Sequence, residues 1–340
     1  MTRDDGLDGG LGDVPAAVAR VVVIATGGTI ASSSDPGGAA VARRTVAQLL
    51  GAAGYGDVEV EGRDLLNLGS YLLGHRELRV IAEAVMAELA RDEVTGVVVS
   101  HGTDTMEETA FLLDLVHDSG KPVVLTGAQR AADQPDSDGP RNLREAVAVA
   151  ASPETRGCGA LISFAGRIFS PRRTRKHHTV AAEPYRTADG GPIGRIGASG
   201  VVITALPVRP APLIRPGPRF DGTRVDIVTV HPGADAALAR AAVRAGAQAV
   251  VLAGTGVGNA NHALLEWVSE AVAAGTVVGL STRVAEGPVV PVYGNAGGAD
   301  LVRAGALSMG ALPLYHARLL LALLISEGVA VTGRTLAPYV

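Results

Sequence analysis

A run of apolar residues that stops at a cluster of polar ones constrains this fold more than any other stretch. Residues 97–99 are three valines, and Ser-His-Gly-Thr-Asp-Thr follows at 100–105. From 106 to 116 apolar residues recur at helical spacing, with Glu107 and Glu108 where carboxylates suit the positive end of a helix dipole. A strand buried on both faces and followed by a helix is typical of parallel α/β sheets. Such sheets bind ligands at the carboxyl ends of their strands, so the polar cluster is a candidate site.

A second segment near the start of the chain repeats this arrangement. Val-Val-Val-Ile-Ala at 21–25 is followed by Thr26, Gly27, Gly28 and Thr29. The two glycines allow the backbone to turn tightly and a ligand to approach it closely. Either cluster alone would suit helix caps and turns equally well, because Ser, Thr and Asp are favoured there. Two clusters at strand ends can converge on one pocket, which favours a functional site.

Strand and helix patterns alternate along most of the chain, which predicts an α/β fold with a mostly parallel sheet and right-handed crossovers. Five prolines between 206 and 223 exclude a helix or central strand there and predict an inter-domain linker. We therefore predict a disordered tail at 1–19, a larger N-terminal catalytic domain with the mostly parallel sheet at 20–205, and a smaller C-terminal α/β domain at 224–340. A mobile loop is predicted at 32–44, which is rich in Ser, Gly and Ala.

Composition narrows the class of function. A net charge of −4 gives no electrostatic footprint for nucleic acid. No apolar run reaches membrane-spanning length, and the first twenty residues lack the pattern of a signal peptide. The single cysteine, Cys158, fits a reducing compartment, so we expect a cytoplasmic protein. Neither metal-ligand spacing nor a nucleotide-binding motif is present, and we predict no metal and no cofactor.

Two segments closely resemble the signatures of the bacterial L-asparaginase (asparaginase/glutaminase) family. Thr-Gly-Gly-Thr-Ile-Ala at 26–31 is similar to the first signature, and His-Gly-Thr-Asp-Thr-Met-Glu-Glu-Thr-Ala at 101–110 is a long match to the second. The resemblance covers nearly the whole chain from the first predicted strand onward. It implies an amidohydrolase that converts L-asparagine and water to L-aspartate and ammonia.

The resemblance also implies a catalytic set. Thr29 is the candidate nucleophile, and Thr103 with Asp104 forms a second pair. Lys176 falls where the family has its active-site lysine. A lysine held among threonine and aspartate can lose its proton and serve as base, whereas the arginines around it are interpreted as a solvated loop. We expect the His101 ring to pack structurally.

Substrate-binding residues follow from the same resemblance. Ser70 matches the family's substrate-binding serine and suits an α-carboxylate, while Asp104 can hold the α-ammonium group. Donors near Thr103 and Ala128 would stabilise the oxyanion. Asn261 lies in a segment that resembles one reaching across a subunit interface. This implies a homodimer or homotetramer in which the neighbouring subunit completes the site.

The sequence departs from the family pattern in its predicted loop and beside its binding serine. The loop at 32–44 lacks the tyrosine common in the family, and the acid usually paired with that tyrosine has no clear counterpart: Glu286 is out of register, and Tyr293 is a candidate substitute. Tyr71 stands where glutamine is often found, which leaves asparagine-versus-glutamine selectivity open. Two alternatives to an asparaginase therefore remain: a glutaminase or other amide hydrolase using the same site, and a slow-turnover asparagine-binding regulatory protein.

Overall fold

The structure is a computed structural model that describes residues 18–51 and 54–340. Its described part confirms the predicted fold class: a large, mostly parallel sheet in the N-terminal half and a smaller parallel sheet in the C-terminal half. The tail predicted at 1–19 lies almost wholly outside the described residues. Within those residues, no helix is both long enough and apolar enough to cross a membrane.

The N-terminal half contains one large sheet. Its elements in chain order are β1 (Arg20–Gly27), β2 (Ser32–Ser34), β3 (Ala40–Ala42), α1 (Val46–Leu50), β4 (Glu59–Leu68), α2 (His75–Leu89), β5 (Gly96–Ser100), α3 (Met106–Val116), β6 (Val123–Thr126), α4 (Gly139–Ala151), β7 (Ala160–Phe164), β8 (Arg167–Phe169), β9 (Thr174–Lys176), β10 (Tyr185–Thr187), β11 (Gly194–Gly197) and β12 (Gly200–Ile203). Eight strands pair in the order β12-β11-β8-β7-β6-β5-β1-β4. The strands from β7 to β4 are parallel, and β8, β11 and β12 extend the sheet with antiparallel pairs.

A four-stranded parallel sheet organises the C-terminal half. The elements are β13 (Val225–Thr229), α5 (Ala237–Arg244), β14 (Ala249–Gly254), α6 (His262–Ala273), β15 (Val277–Thr282), α7 (Gly298–Arg303), β16 (Leu307–Ser308), α8 (Leu314–Ser326) and α9 (Gly333–Leu336). The strands pair in chain order. The strand β16 is only two residues long, too short for a sequence pattern to indicate it.

The unbroken apolar runs exist because helices cover both faces of the large sheet. In β1, Val22 and Ile24 belong to a core shared with α2, α3 and α8, whereas Val21 and Val23 belong to a core shared with α1 and α4. All four side chains are fully buried. A strand of this kind must be apolar at successive positions, as the sequence predicts.

The proline-rich segment 206–223 packs against the N-terminal half. Arg209 Nε donates to Asp114 Oδ1 in α3 at 2.8 Å, and Arg209 Nη2 donates to the His117 carbonyl at 3.0 Å. Phe220, in a short 3₁₀ turn of the same segment, is fully buried. The segment thus lies along α3 and its end, while the exact limits of the two domains stay a prediction.

Residues 32–44, for which the sequence predicts a mobile loop, form a hairpin instead. Strands β2 and β3 pair antiparallel. Asp35 Oδ1 accepts hydrogen bonds from two backbone N–H groups of the turn, at 2.8 and 2.9 Å. Asp133, far away in the chain, accepts the Ser34 N–H at 2.8 Å. The prediction of an irregular loop is wrong because carboxylates, one of them distant in the chain, hold two short strands together. The mobility predicted for this segment stays a prediction.

Two glycines let the end of β1 meet its two neighbours backbone to backbone: Gly27 lies against Leu68 at the end of β4, and Gly28 lies against Gly102 just after β5. Gly27 and Gly28 have φ of 105° and 80°, a region that favours glycine. A Cβ on Gly28 would lie 2.3 Å from the Gly102 nitrogen, so no other residue fits without displacing the second loop. The close approach places both polar clusters at one edge of the sheet.

Replacing Gly28 by alanine should therefore destabilise the protein more than the strain of its positive φ alone would. Gly233 is a matched control, because its φ is also 80° but nothing lies within 4 Å of its Cβ position. We expect Gly233→Ala to lower the free energy of unfolding by about 1 kcal/mol. Gly28→Ala should lower it by about 3 kcal/mol, since a clash is added to the strain. Urea unfolding measures both values, and equal losses would contradict the close approach.

Candidate active site

The polar strand ends face a common cavity of about 310 Å³. Five of the residues predicted from the sequence line it: Thr29, Ser70, Tyr71, Thr103 and Asp104. The loop after β1, the turn after β4 and the loop after β5 supply them. The predicted convergence of strand-end clusters on one pocket is thus observed, although their chemical roles stay a prediction.

Lys176 joins this group from a separate hairpin. Its Nζ donates to Thr103 Oγ1 and to Asp104 Oδ1, both at 2.8 Å. The lysine side chain is 15% exposed, whereas the Asp104 side chain is 57% exposed. Tyr185 pairs with Lys176 across the hairpin β9–β10, and its buried hydroxyl donates to the Thr103 carbonyl at 3.0 Å. The hairpin and the loop after β5 are therefore joined at two points.

Thr26 and Thr29 have different surroundings although both follow β1. The Thr26 hydroxyl is buried and donates to the Ser100 carbonyl at 2.8 Å, which ties the ends of β1 and β5 together. Thr29 begins a 3₁₀ turn, is half-buried and lines the cavity. Among the described residues its hydroxyl makes no hydrogen bond. Of the two threonines, only Thr29 offers a hydroxyl that is available to a ligand.

Ser70 also lines the cavity, and its hydroxyl is buried. The residue is 3% exposed, and within residues 18–51 and 54–340 its Oγ is buried without a hydrogen-bond partner. A buried hydroxyl without a partner is unfavourable by about 1–3 kcal/mol, so it indicates a place for a polar group of a ligand. Tyr71 beside it is 71% exposed and forms part of the cavity rim.

Glu107 lies behind the lysine, and its position was not anticipated from the sequence. Its carboxylate accepts a hydrogen bond from the Lys176 backbone N–H, and the residue is 6% exposed. Burial raises the pKa of Glu107 from its usual 4.5 to about 7, and the bond from Lys176 opposes part of that rise. The sequence pattern pointed only to a helix-dipole role, because the contact depends on a segment 69 residues away.

His101 is structural, as expected from the sequence. Its Nδ1 lies 2.7 Å from the Gly102 carbonyl, and its Nε2 lies 2.9 Å from Thr109 Oγ1. Burial lowers the pKa of His101 to about 4, so the ring is neutral near pH 7. Both ring nitrogens are occupied within the fold, which leaves no free base at this position.

The structure does not bring every predicted residue to the cavity. Ala128 is fully buried behind it. Asn261 caps α6: its Oδ1 accepts the Leu264 N–H at 3.1 Å, and its Nδ2 donates to a backbone carbonyl at 2.7 Å. Glu286 lines a neighbouring cavity of about 230 Å³ together with Lys176. Tyr293 is 59% exposed and lines neither of these two cavities. The roles predicted for Ala128 and Asn261 therefore stay predictions.

Comparison with known proteins gives a consistent result over both halves. A model of the asparaginase N-terminal domain matches residues 20–208, and one of the glutaminase/asparaginase C-terminal domain matches residues 224–332. The chain is 39% identical over 318 residues to a probable L-asparaginase of Deinococcus radiodurans, covering 93% of this chain and 95% of that protein. It is 32% identical to an L-asparaginase of Bacillus licheniformis, covering 91% and 96%. It is 30% identical to L-asparaginase 2 of Escherichia coli, covering 92% and 90%.

The raised pKa of Glu107 predicts a pH dependence of stability. Between the usual value of 4.5 and about 7 the native state binds more protons than the unfolded state, so the free energy of unfolding falls as pH rises through this window. The fall due to this group is roughly 3 kcal/mol. Glu107→Gln keeps an acceptor for the Lys176 N–H but has no proton to lose. Chemical unfolding across this range should show a gap between the two proteins that changes with pH, and parallel curves would contradict the assignment.

Proposed function

The chain belongs to the asparaginase family, and on that premise we propose that it hydrolyses L-asparagine to L-aspartate and ammonia. One observation carries this proposal: Lys176 Nζ contacts Thr103 and Asp104, and these two residues line a cavity that Thr29 and Ser70 also line. Amide hydrolysis requires a nucleophile, a base and polar groups for recognition. Each of these has a candidate within this single cluster.

In the proposed mechanism Thr29 is the nucleophile. Its Oγ1 bonds to the side-chain amide carbon of the substrate, and its proton passes to a base. Collapse of the tetrahedral intermediate breaks the carbon–nitrogen bond and releases ammonia, with a proton supplied to the leaving nitrogen. Water then cleaves the aspartyl ester, which restores the Thr29 hydroxyl and releases aspartate. The available Thr29 hydroxyl at the cavity supports this assignment.

Lys176 is proposed as the base beside Thr103: its ammonium group first loses a proton to solvent, and the neutral amine then takes the Thr29 proton and returns it to the leaving nitrogen. The chain contains only two lysines among 30 basic Lys and Arg residues, so the choice of lysine here is informative. An arginine would satisfy Asp104 equally well but does not release its proton. The other lysine, Lys121, donates from Nζ to the carbonyls of Leu89 and Arg91, which is a structural role. Of the two lysines, Lys176 is thus the one whose amine contacts residues that line the cavity.

Recognition of a free amino acid is proposed to use both charged ends of the substrate. Ser70 and neighbouring backbone N–H groups would bind the α-carboxylate, and Asp104 would bind the α-ammonium group. Donors near Thr103 and Ala128 would stabilise the oxyanion. Two observations support this assignment: within the described residues the Ser70 Oγ has no hydrogen-bond partner, and the Asp104 side chain is 57% exposed, so both groups have hydrogen-bonding capacity left for a ligand.

The hairpin β2–β3 covers the cavity with small side chains. Ala40, Val41 and Ala42 line it on this side, and no tyrosine lies in the hairpin. Activation of Thr29 therefore falls to Thr103 and Lys176 in our proposal. Hydrolysis of glutamine at the same cavity is the alternative function. It should be measured beside hydrolysis of asparagine, because Tyr71 at the rim does not decide which of the two side-chain lengths the cavity accepts.

Assembly and location extend the proposal. We propose a homodimer or homotetramer in which Asn261 of a neighbouring subunit contacts the substrate's ammonium group. Light scattering would establish the solution mass, and a monomer with full activity would contradict this part.

A cytoplasmic location also stays a prediction, since one relative, 31% identical, is named a probable periplasmic L-asparaginase of Haemophilus influenzae.

Removing either threonine hydroxyl should abolish turnover. Steady-state ammonia release from L-asparagine and L-glutamine should fall by about a thousandfold or more in Thr29→Ala and in Thr103→Val. Thr29→Ser, which keeps a hydroxyl, is the matched control and should retain measurable release. Wild-type rates in Thr29→Ala would exclude the proposed nucleophile, and no release by the wild type would exclude the proposed reaction.

The two lysines permit a matched test of the base. Lys176→Arg keeps a positive charge near Asp104 but replaces an amine that can be deprotonated, so ammonia release should fall by about a hundredfold or more. Lys121→Arg makes the same chemical change at a structural site and should retain release within about threefold of the wild type. An equal effect of the two substitutions would argue against Lys176 as base.

A further inference from the structure

Gln129 connects Thr103 to the segment that follows Lys176. It lies just beyond β6 and is half-buried. Its Oε1 is 3.0 Å from Thr103 Oγ1. Its Nε2 donates to the carbonyls of Thr179 and Ala181, at 3.2 and 3.0 Å. The sequence patterns assigned this glutamine no role.

The two carbonyl contacts determine which way the Gln129 amide faces. Carbonyl oxygens only accept hydrogen bonds, so the amide nitrogen must face Thr179 and Ala181. The amide oxygen must then face Thr103, and because it only accepts, the Thr103 hydroxyl donates its single proton to it. What the Thr103 oxygen presents to Lys176 Nζ, 2.8 Å away, is therefore a lone pair.

The backbone of Gln129 is held as firmly as its side chain. Its N–H lies 3.1 Å from both carboxylate oxygens of Asp138. Asp138 in turn accepts from Nδ2 of the fully buried Asn142 at 3.1 Å. The amide that faces Thr103 is thus anchored through Asp138 to the start of α4, which makes it a rigid support.

We propose that Gln129 is a positioning residue that orients the Thr103 hydroxyl. Its acceptor oxygen draws the Thr103 proton away from Lys176. One Thr103 lone pair then receives the lysine N–H, and the other is left for a donor in the cavity, such as the attacking hydroxyl or water. In the same pose Nε2 holds the loop that follows Lys176, between β9 and β10. This inference rests on the proposed hydrolysis and extends it to a residue that does not line the cavity.

Two substitutions separate orientation from anchoring. Gln129→Met removes both the acceptor and the donors at nearly constant length, whereas Gln129→Glu keeps an acceptor for Thr103 and removes the donors to Thr179 and Ala181. Gln134→Met is the matched control, because Gln134 is exposed in the same loop and lies outside this network. The full-length variants would be compared with the wild type by thermal unfolding and by ammonia release from L-asparagine across neutral and alkaline pH.

The kcat of Gln129→Met should fall by about tenfold, the size expected from one lost hydrogen bond at a reacting group. Its KM should stay within about threefold, since no binding contact is removed. Gln129→Glu should keep kcat within about threefold of the wild type, and its pH profile should shift because a charge is added near Lys176. Gln134→Met should match the wild type.

Three results would overturn the inference. They are a wild-type kcat in Gln129→Met, an equal loss in Gln129→Glu and Gln129→Met, and a similar loss in Gln134→Met. The Gln129→Glu variant keeps the test intact if Gln129→Met does not fold, because its retained kcat and shifted pH profile are predicted independently. A wild type that releases no ammonia would overturn the proposed hydrolysis and this inference together, whereas an active wild type with an unaffected Gln129→Met would overturn the inference alone.

Discussion

The contact of the Lys176 ammonium group with Thr103 and Asp104 is the interaction on which the rest of the site depends. It joins a hairpin outside the large sheet to the loop after β5, and it holds a mostly buried positive charge beside one buried hydroxyl and one exposed carboxylate. A buried charge is tolerated only where partners compensate for lost hydration. The fold supplies these partners at the carboxyl edge of parallel strands, where the polar ends of β1 and β5 also meet.

Buried groups behind the cavity keep this contact in place. Tyr185 holds the Thr103 carbonyl, Glu107 holds the Lys176 backbone, and Gln129 holds the Thr103 hydroxyl. Each of these groups is polar and wholly or partly removed from water, so each would be unfavourable without its partner. These buried polar groups have their hydrogen-bond partners only in this geometry, and the arrangement is rigid for that reason. Preorganised polar groups of this kind are what amide hydrolysis requires.

Much of the architecture could be predicted from local patterns. The apolar runs of β1 and β5 and the helix Met106–Val116 follow from periodicity, because burial on both faces of the sheet dictates their composition. The three-residue strand β8 and the hairpin at 32–44 could not be predicted, since they depend on pairing and on distant carboxylates such as Asp133. The family resemblance pointed to Thr29, Thr103 and Lys176 as candidate catalytic residues, and their roles stay a prediction. Glu107 and Gln129 were missed because their partners lie 69 and 26 residues away in the chain.

We propose that the hydrolysis of L-asparagine runs through a covalent intermediate on Thr29. The most direct test of this proposal is rapid acid quenching of the wild-type enzyme during turnover of L-asparagine, followed by mass spectrometry of its peptides. We expect an aspartyl ester on the peptide that contains Thr29. An ester on the peptide that contains Thr103 would contradict it and would exchange the roles of the two threonines.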